Sequence, residues 1–161
     1  VKINIDGDSL GYDVADSLSV VAAVEHLTTH DPDAAFVYLG NIDVVGHNTS
    51  SLSPAYRAAI ETADAQVGLL LAALEQRATY ADEDWLILMS TDHGRRDDGG
   101  HGGPSPKERR IFYLASGPSA PWDPSPEAPG IVDVAVTALT HLGVTIDPAW
   151  NLDGRVVGLR K

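Results

Sequence analysis

Five residues in three short segments of this chain have the side chains that hold divalent metal ions in proteins. Asp43 and His47 lie in the first segment, Asp92 and His93 in the second, and His101 stands among four glycines in the third. Aspartate supplies a hard oxygen and histidine an imidazole nitrogen, a mixture that zinc and manganese both accept. The combination predicts a catalytic metal centre, since three separate segments would otherwise carry ligand-type residues by accident.

The first segment holds Asp43 and His47 four positions apart, with Gly46 between them. One helical turn over this stretch would point both side chains the same way. Gly46 would let the backbone pass close to a metal or a substrate. The alternative is a loop in which Asp43 caps the next turn and His47 is solvated, and this motif alone leaves both interpretations open.

The other two segments favour positions at the end of a strand and in a tight loop. Asp92 and His93 directly follow an apolar run that is typical of a buried strand. Neighbouring strand side chains point to opposite faces, so the pair suits two metals, or one metal and a group behind it. Glycine weakens regular structure, and the four glycines around His101 favour a loop that brings the histidine inward. The alternatives are an aspartate turn after the strand and a flexible linker around His101.

Helical periodicity alternates along the chain with short apolar runs, which is the pattern of an α/β protein. We therefore predict a layered α/β/α fold with a mostly parallel sheet, whose active site lies beyond the carboxyl ends of the strands. The predicted strands are 1–5, 34–39, 84–90 and 110–115, with a short one near 156–157. The predicted helices run from Asp16 or Ser17 to about His30, from Ser53 and Pro54 to about Arg77, and from Ile131 to Leu142. The predicted loops are 41–51, 92–107 and 118–129.

Composition limits the possible functions. The 161 residues fit one domain, 1–161. Eleven basic against 23 acidic residues give a net charge of -12, which argues against nucleic-acid binding by a basic surface. That charge also repels an anionic substrate unless bound cations reverse its sign locally. There is no cysteine, so disulfides, thiolate catalysis and cysteine-type zinc sites are excluded.

No segment of the sequence has the character of a membrane span or a signal peptide. The apolar runs all fall short of the roughly 18 residues that a transmembrane helix needs. Together with the absence of cysteine, this favours a cytoplasmic protein and leaves the compartment open. The chain opens with Val1 rather than methionine. We therefore expect a fragment from which an N-terminal segment of the same protein is missing.

Two further residues are predicted to contact a substrate. Arg95 lies in the loop that holds the predicted ligands, and its planar guanidinium is suited to donating hydrogen bonds to a phosphoryl group. Asn48 has an amide that would donate to a bound oxyanion. The alternatives are a solvated loop charge for Arg95 and a turn residue for Asn48.

The motifs together resemble the alkaline phosphatase superfamily, particularly its phosphodiesterase and nucleotide pyrophosphatase-like members. The similar segments are Asp43-x-x-x-His47, Thr91-Asp92-His93-Gly94 and the glycine-flanked His101, which stand in the family's order. The stretch 133–143 resembles the family's closing "D-V-A-P-T…L-L-G" helix, with Val136 in place of the proline. The stretch 152–155 resembles the "L-D-G-R" that follows. The resemblance extends from residue 34 to the end of the chain.

The resemblance implies a two-metal hydrolase of phosphoric monoesters or diesters, acting on a small phosphorylated substrate. Asp43, His47 and His101 would hold the ion that binds water and a substrate oxygen. Asp92 and His93 would hold the second ion. Zinc is the expected metal and manganese the alternative. The family's N-terminal aspartate and its serine or threonine nucleophile have no counterpart here beyond a poor stand-in at 6–9, so the catalytic nucleophile is unidentified and the isolated chain is expected to be weak or inactive.

Three other functions remain open. A phosphomutase of the cofactor-independent phosphoglycerate mutase type has similar Asp-His segments and usually prefers manganese. A sulfatase is disfavoured, because this chain has no cysteine from which its nucleophile would derive. A non-catalytic metal-binding module would keep the ligands after loss of the nucleophile. An upstream serine or threonine after a buried strand, with an aspartate ahead of it, would distinguish the enzymes from the binding module.

Overall fold

The computed structural model describes residues 1–120 and 128–160, which divide into two compact units. Within these ranges no helix is both long and apolar enough to cross a membrane. The first unit consists of Val1–Ala81 and Arg95–His101, and the second of Asp82–Gly94 and Gly102–Lys161. The helices of the first unit are α1 (Gly7–Leu10), α2 (Tyr12–Thr29), α3 (Asn41–Asn48) and α4 (Pro54–Glu75), and a 3-10 turn follows at Tyr80–Asp82.

The second unit combines a small sheet with two helices. Its elements are β1 (Ile87–Ser90), α5 (Pro106–Arg109), β2 (Tyr113–Ser116), α6 (Asp133–His141) and a 3-10 turn at Pro148–Trp150. The two strands pair antiparallel, and Leu88 lies opposite Ala115. The predicted connection 118–129 lies partly outside the described residues.

The predicted α/β/α fold with a mostly parallel sheet is wrong. Across residues 1–120 and 128–160 the sheet has two strands, and they are antiparallel. Parallel neighbours need a crossover of about a dozen or more residues, usually a helix. The connection 91–112 is long enough for such a crossover, but its only helix is the four-residue α5. The chain therefore returns alongside β1 in the opposite direction.

Three of the predicted strands form no ladder in the structure. The segments 1–5, 34–39 and 156–157 have no strand assignment. Phe36 is 91% exposed and Tyr38 58% exposed, where a buried strand was expected. An apolar run indicates that a segment suits burial, but only a neighbouring strand can pair its backbone amides and carbonyls.

Helices α2 and α4 pack together as the core of the first unit. Their buried apolar side chains include Val20 and Leu27 of α2, and Ala73 and Leu74 of α4. The predicted start of α4 is confirmed: the Ser53 hydroxyl accepts from the backbone N–H of Tyr56 at 3.0 Å, and a proline occupies the first turn.

Arg77 joins the far ends of these two helices. It lies just beyond α4, and its side chain is only 6% exposed. Its Nη1 donates to the carbonyls of Leu27, at 2.5 Å, and His30, at 2.9 Å, which are at the C-terminus of α2. The last carbonyls of a helix have no partner within the helix. Arg77 therefore satisfies the end of α2 and fixes it against α4.

A buried carboxylate on α2 holds the beginning of α3. Asp16 is 4% exposed, and it accepts from the backbone N–H groups of Gly40, at 2.9 Å, and Asn41, at 2.8 Å. The sequence predicted a helix that starts with Asp16 or Ser17 as its cap, but α2 begins at Tyr12, and the Asp16 carboxylate caps α3 instead. Gly40 is needed at this junction, because a Cβ there would come within 2.5 Å of the Tyr12 ring.

In the second unit, two side chains of α6 hold the C-terminal tail. The Asp133 carboxylate accepts from the backbone N–H groups of Gly130 and Arg155, each at 2.8 Å. Thr137 is fully buried; its hydroxyl donates to the Val157 carbonyl at 3.2 Å and accepts from the Val157 N–H at 3.0 Å. The two closing motifs of the sequence, 133–143 and 152–155, are thus joined by hydrogen bonds between α6 and the tail.

We predict that Asp16→Ala destabilises the protein by about 2–4 kcal/mol, because it leaves two amide donors at the start of α3 without their acceptor. Equilibrium urea unfolding followed by circular dichroism measures the effect. Asp64→Ala is the matched control, since Asp64 is an exposed aspartate on α4. Equal stabilities of the two variants would contradict the capping role of Asp16.

Asp133 predicts a loss of stability in acid. Burial by itself would raise the pKa of Asp133, but the N–H groups of Arg155 and Gly130 and the Arg155 charge outweigh it and hold the pKa below 3.8. The folded-state pKa is therefore lower than the unfolded one, so the stabilisation is fully present above pH 3.8 and is lost as pH falls through the folded-state value. Urea unfolding from pH 7 to pH 3 should show a smaller acid-dependent loss in Asp133→Asn than in the wild type. Parallel pH profiles would rule out this contribution.

Candidate metal centre

Helix α3 presents Asp43 and His47 on one face. Asp43 lies in its first turn and His47 in its last. The Oδ2 atom of Asp43 is 3.5 Å from Nε2 of His47, as the four-residue spacing on a helix allows. Of the two interpretations that the sequence left open here, the structure has the helix rather than the loop.

The segment 95–101 brings His101 to the same place through close backbone contact with α3. Gly99 has φ of 91°, and a Cβ at this position would lie 2.0 Å from the Gly46 carbonyl oxygen. Only glycine therefore permits this approach. Further along the loop, Arg96 donates its N–H to the Gly100 carbonyl at 2.8 Å. The hydroxyl of Ser51 donates to the Arg96 carbonyl at 2.9 Å and ties the loop to the segment after α3.

The three side chains converge within the first unit. The Nε2 atoms of His47 and His101 are 2.8 Å apart, and Nε2 of His101 is 3.3 Å from Oδ1 of Asp43. One ligand atom from each residue lies within 4.8 Å of the others. Among the described residues, this is the one group of three or more such side chains that could hold a metal ion. All three side chains are partly exposed, so the group is open to solvent.

This donor set fits a divalent metal ion. A tetrahedral zinc ion with bonds of about 2.0–2.1 Å places its ligand atoms roughly 3.3 Å apart. The two Nε2 atoms are 2.8 Å apart, and Asp43 approaches His101 through Oδ1, at 3.3 Å, and His47 through Oδ2, at 3.5 Å, so each contact is close to that spacing. One carboxylate and two imidazoles also leave a coordination position for a further ligand, as catalytic zinc sites do. Manganese accepts the same donor types, so the geometry does not select between the two metals.

Arg95 lies beneath the group. Its Nη2 donates to Oδ1 of Asp43, and its Nη1 donates to the carbonyl of Gly99. The side chain is only 6% exposed and rests against Gly46, where an added Cβ would lie 2.8 Å from the guanidinium carbon. The guanidinium carbon is 6.0 Å from the centre of the Tyr56 ring. Burial lowers the pKa of Arg95 and raises that of Tyr56.

Asp92 and His93 belong to the second unit and follow β1. The Asp92 side chain is 76% exposed and that of His93 27%. Nδ1 of His93 lies 2.9 Å from the Gly94 carbonyl, which can only accept, so Nδ1 is the donor in this contact, and Nε2 of the same ring lies on the side of Asp92. Oδ1 of Asp92 is 3.5 Å from that Nε2. A metal-binding role for this pair remains a prediction from the sequence.

The structure also gives the local surroundings of Asn48 and of the segment 6–9, the predicted substrate contact and the poor stand-in for the nucleophile. Asn48 is exposed at the end of α3, and its substrate contact remains a prediction. The stand-in nucleophile segment forms a helix cap: Asp6 accepts from the N–H of Asp8 and Ser9, and from the Ser9 hydroxyl at 2.5 Å. The Ser9 hydroxyl, and then its N–H, hold the pKa of Asp6 below 3.8. A carboxylate with a lowered pKa is a poor general base for activating a serine.

Asp16 is the positioning residue that sequence reasoning missed. Its hydrogen bonds to Gly40 and Asn41 set where the ligand helix begins. A signal was available, because Asp16 lies four residues before Val20 and therefore in the apolar stripe of α2. A carboxylate on a buried helix face needs a hydrogen-bonding partner, and an unpaired one would be costly. The sequence does not show that the partner is the start of α3.

Two family models match the chain. The model for type I phosphodiesterase / nucleotide pyrophosphatase matches residues 9–97, more than half of the chain. This range includes Asp43, His47, Asp92 and His93. A model for a domain of unknown function matches residues 124–157.

Curated relatives include two enzymes from haloarchaea, both named 2,3-bisphosphoglycerate-independent phosphoglycerate mutase. The enzyme of Haloarcula marismortui is 29% identical over 127 residues, which are 76% of this chain and 23% of that enzyme. The enzyme of Natronomonas pharaonis is 34% identical over 79 residues, which are 49% of this chain and 14% of that enzyme. The chain therefore spans less than a quarter of the length of these relatives. No solved structure matches it closely enough to be significant.

We predict that His47→Ala and His101→Ala each weaken zinc binding by more than about 100-fold, the upper end of what loss of a group behind a ligand costs. Isothermal titration with zinc measures the affinity. Excess zinc should also raise the melting temperature of the wild type, because it binds the folded state, and should do so less in either variant. His26→Ala is the control, because His26 lies in α2, stacks on His30 and is not part of the Asp43, His47 and His101 group. Equal zinc affinity in all three variants would mean that the group is not a metal site.

Proposed function

Since the chain belongs to the type I phosphodiesterase / nucleotide pyrophosphatase family, within the alkaline phosphatase superfamily, we propose that it forms part of a metal-dependent hydrolase of phosphoric esters. The observation that carries this proposal is the convergence of Asp43, His47 and His101. Two of these lie within the matched range, and the third reaches them through the loop that begins at Arg95.

The proposed substrate is a small molecule carrying a phosphoric monoester or diester. A divalent ion at this group would supply positive charge to a phosphoryl oxygen and to the water that attacks it. In this chain the two imidazoles and the Asp43 carboxylate would hold that ion, and their partial exposure leaves room for a substrate beside it. With a net charge of -12, the chain otherwise repels an anion, so recognition depends on local positive charge.

We infer that zinc is the bound metal, with manganese as the alternative, and that a second ion binds through Asp92 and His93. Support for the second ion is the Asp-His pair directly after β1, whose carboxylate and imidazole lie 3.5 Å apart. Two side chains are fewer than the three protein ligands of a typical catalytic zinc. The second ion therefore needs further donors, and metal counting tests it directly.

We further propose that the nucleophile is supplied from outside residues 1–161, since the relatives are more than four times as long as the part this chain matches. The serine closest to the family's pattern, Ser9, belongs to a helix cap. The isolated chain is accordingly expected to bind metal but to turn over phosphoric esters weakly or not at all. Full activity is expected of the complete gene product.

A phosphomutase is the second candidate function, and the names of both relatives favour it. Both candidates need metal ligands of the same types, so this group of side chains does not separate them. They differ in the acceptor of the phosphoryl group, which is water in a hydrolase and a second hydroxyl of the substrate in a mutase.

We predict that the metal-stripped chain takes up close to two zinc or manganese ions, and that His47→Ala and Asp92→Ala each remove about one. Elemental analysis after gel filtration gives the stoichiometry. The complete gene product should release phosphate from p-nitrophenyl phosphate or cleave bis(p-nitrophenyl) phosphate, and both activities should fall in His47→Ala.

The outcomes separate the candidates. Isomerisation of phosphoglycerate without release of phosphate would replace the hydrolase by the mutase. One ion, lost only in His47→Ala, would remove the second metal from the proposal. Metal binding with neither activity in the complete gene product would leave a non-catalytic metal-binding module.

A further inference from the structure

Arg95 is a charged residue beside the candidate ligands whose side chain is only 6% exposed. It extends from the first residue of the loop 95–101, and its guanidinium lies against α3 at Gly46. One arm of its fork donates to Oδ1 of Asp43 and the other to the carbonyl of Gly99. It thus bonds simultaneously to a ligand on α3 and to the loop that ends in His101.

Both hydrogen bonds of Arg95 influence where the candidate ligand atoms lie. The bond to Asp43 fixes the rotation of the carboxylate, so that its other oxygen, Oδ2, stays near His47 at 3.5 Å. The bond to Gly99 holds the loop two residues before His101. The planar guanidinium makes one bond to each of two partners, so it fixes Asp43 relative to the Gly99 carbonyl, which a single point charge would not.

We propose that Arg95 is a positioning residue of the metal centre, which acts by aligning Asp43 and by holding the His101 loop on α3. This inference rests on the proposed metal-dependent function. It differs from a direct contact between Arg95 and a substrate phosphate, because the guanidinium is only 6% exposed and both arms of its fork are engaged by the protein.

Charge repulsion is the opposing effect. Arg95 places a positive charge next to a carboxylate that would bind a cation, and removal of that charge alone would strengthen metal binding. Alignment outweighs repulsion here, because three ligand atoms from two separate segments must stay within 4.8 Å of one another. Losing the group behind a ligand typically weakens metal affinity about 10–100-fold.

The test compares Arg95→Met, Arg95→Lys and the control Arg96→Met with the wild type. Arg96 is the neighbouring arginine, and its exposed side chain pairs with Asp98 at 3.2 Å. We expect Arg95→Met to bind zinc about 10–100-fold more weakly. Arg95→Lys, which keeps the charge but not the fork, should fall between Arg95→Met and the wild type, and Arg96→Met should match the wild type. Circular dichroism establishes that each variant is folded.

Two further readouts separate alignment from general destabilisation. The visible spectrum of bound cobalt reports coordination geometry, and it should change in Arg95→Met while the control keeps the wild-type spectrum. Amide hydrogen exchange at Gly99 and Gly100, measured without metal, should become faster in Arg95→Met. If Arg95→Met fails to fold, Arg95→Lys carries the same comparison.

Failure of this inference is distinct from failure of the proposed function. Wild-type protein that binds no zinc would remove the metal centre itself, while the exchange rates would still show whether Arg95 holds the loop. Wild-type protein that binds zinc, together with Arg95→Met that binds it equally or more tightly with an unchanged cobalt spectrum, would overturn the positioning role.

Discussion

The contact between the Gly46 carbonyl and Gly99 is the constraint on which the candidate metal centre depends. It brings the backbone of the loop against α3 so closely that a Cβ on Gly99 would lie 2.0 Å from the carbonyl oxygen. Without it, His101 would not reach the two ligands on the helix. Arg95 fills the space left by the missing side chain of Gly46, so the two glycines and the arginine form one packed layer under the ligand atoms.

The position of α3 is in turn set by buried polar groups on its neighbours. Asp16 fixes where α3 begins, and Arg77 fixes the end of α2, the helix that carries Asp16. Each of these side chains satisfies backbone groups that a helix end leaves unpaired. An eight-residue helix is too short to be stable alone, so these tertiary contacts decide its orientation. The positions of the candidate metal ligands thus depend on hydrogen bonds made well away from them.

How far the sequence could predict this structure depended on whether the signal was local. Ser53 and Pro54 predict the start of α4, and the four-residue spacing of Asp43 and His47 indicates a helical turn. Strand pairing is not local: the apolar segment 34–39 looked like a buried strand, yet within residues 1–120 and 128–160 no strand pairs with it. The contacts of Arg95 with Asp43 and Gly99 were equally out of reach, because they span up to 52 positions along the chain.

The charge of the ligand set matters because the whole chain is acidic. One carboxylate and two neutral imidazoles leave a bound divalent ion with one net positive charge, whereas three carboxylates would make the site negative. Arg95 adds a second positive charge beneath Asp43. With a net charge of -12 over the whole chain, the protein would then attract a phosphoryl group only where a bound ion at this small group of residues reverses the sign. In the proposed enzyme, histidine rather than carboxylate at positions 47 and 101 would therefore favour a phosphorylated substrate as well as a metal ion.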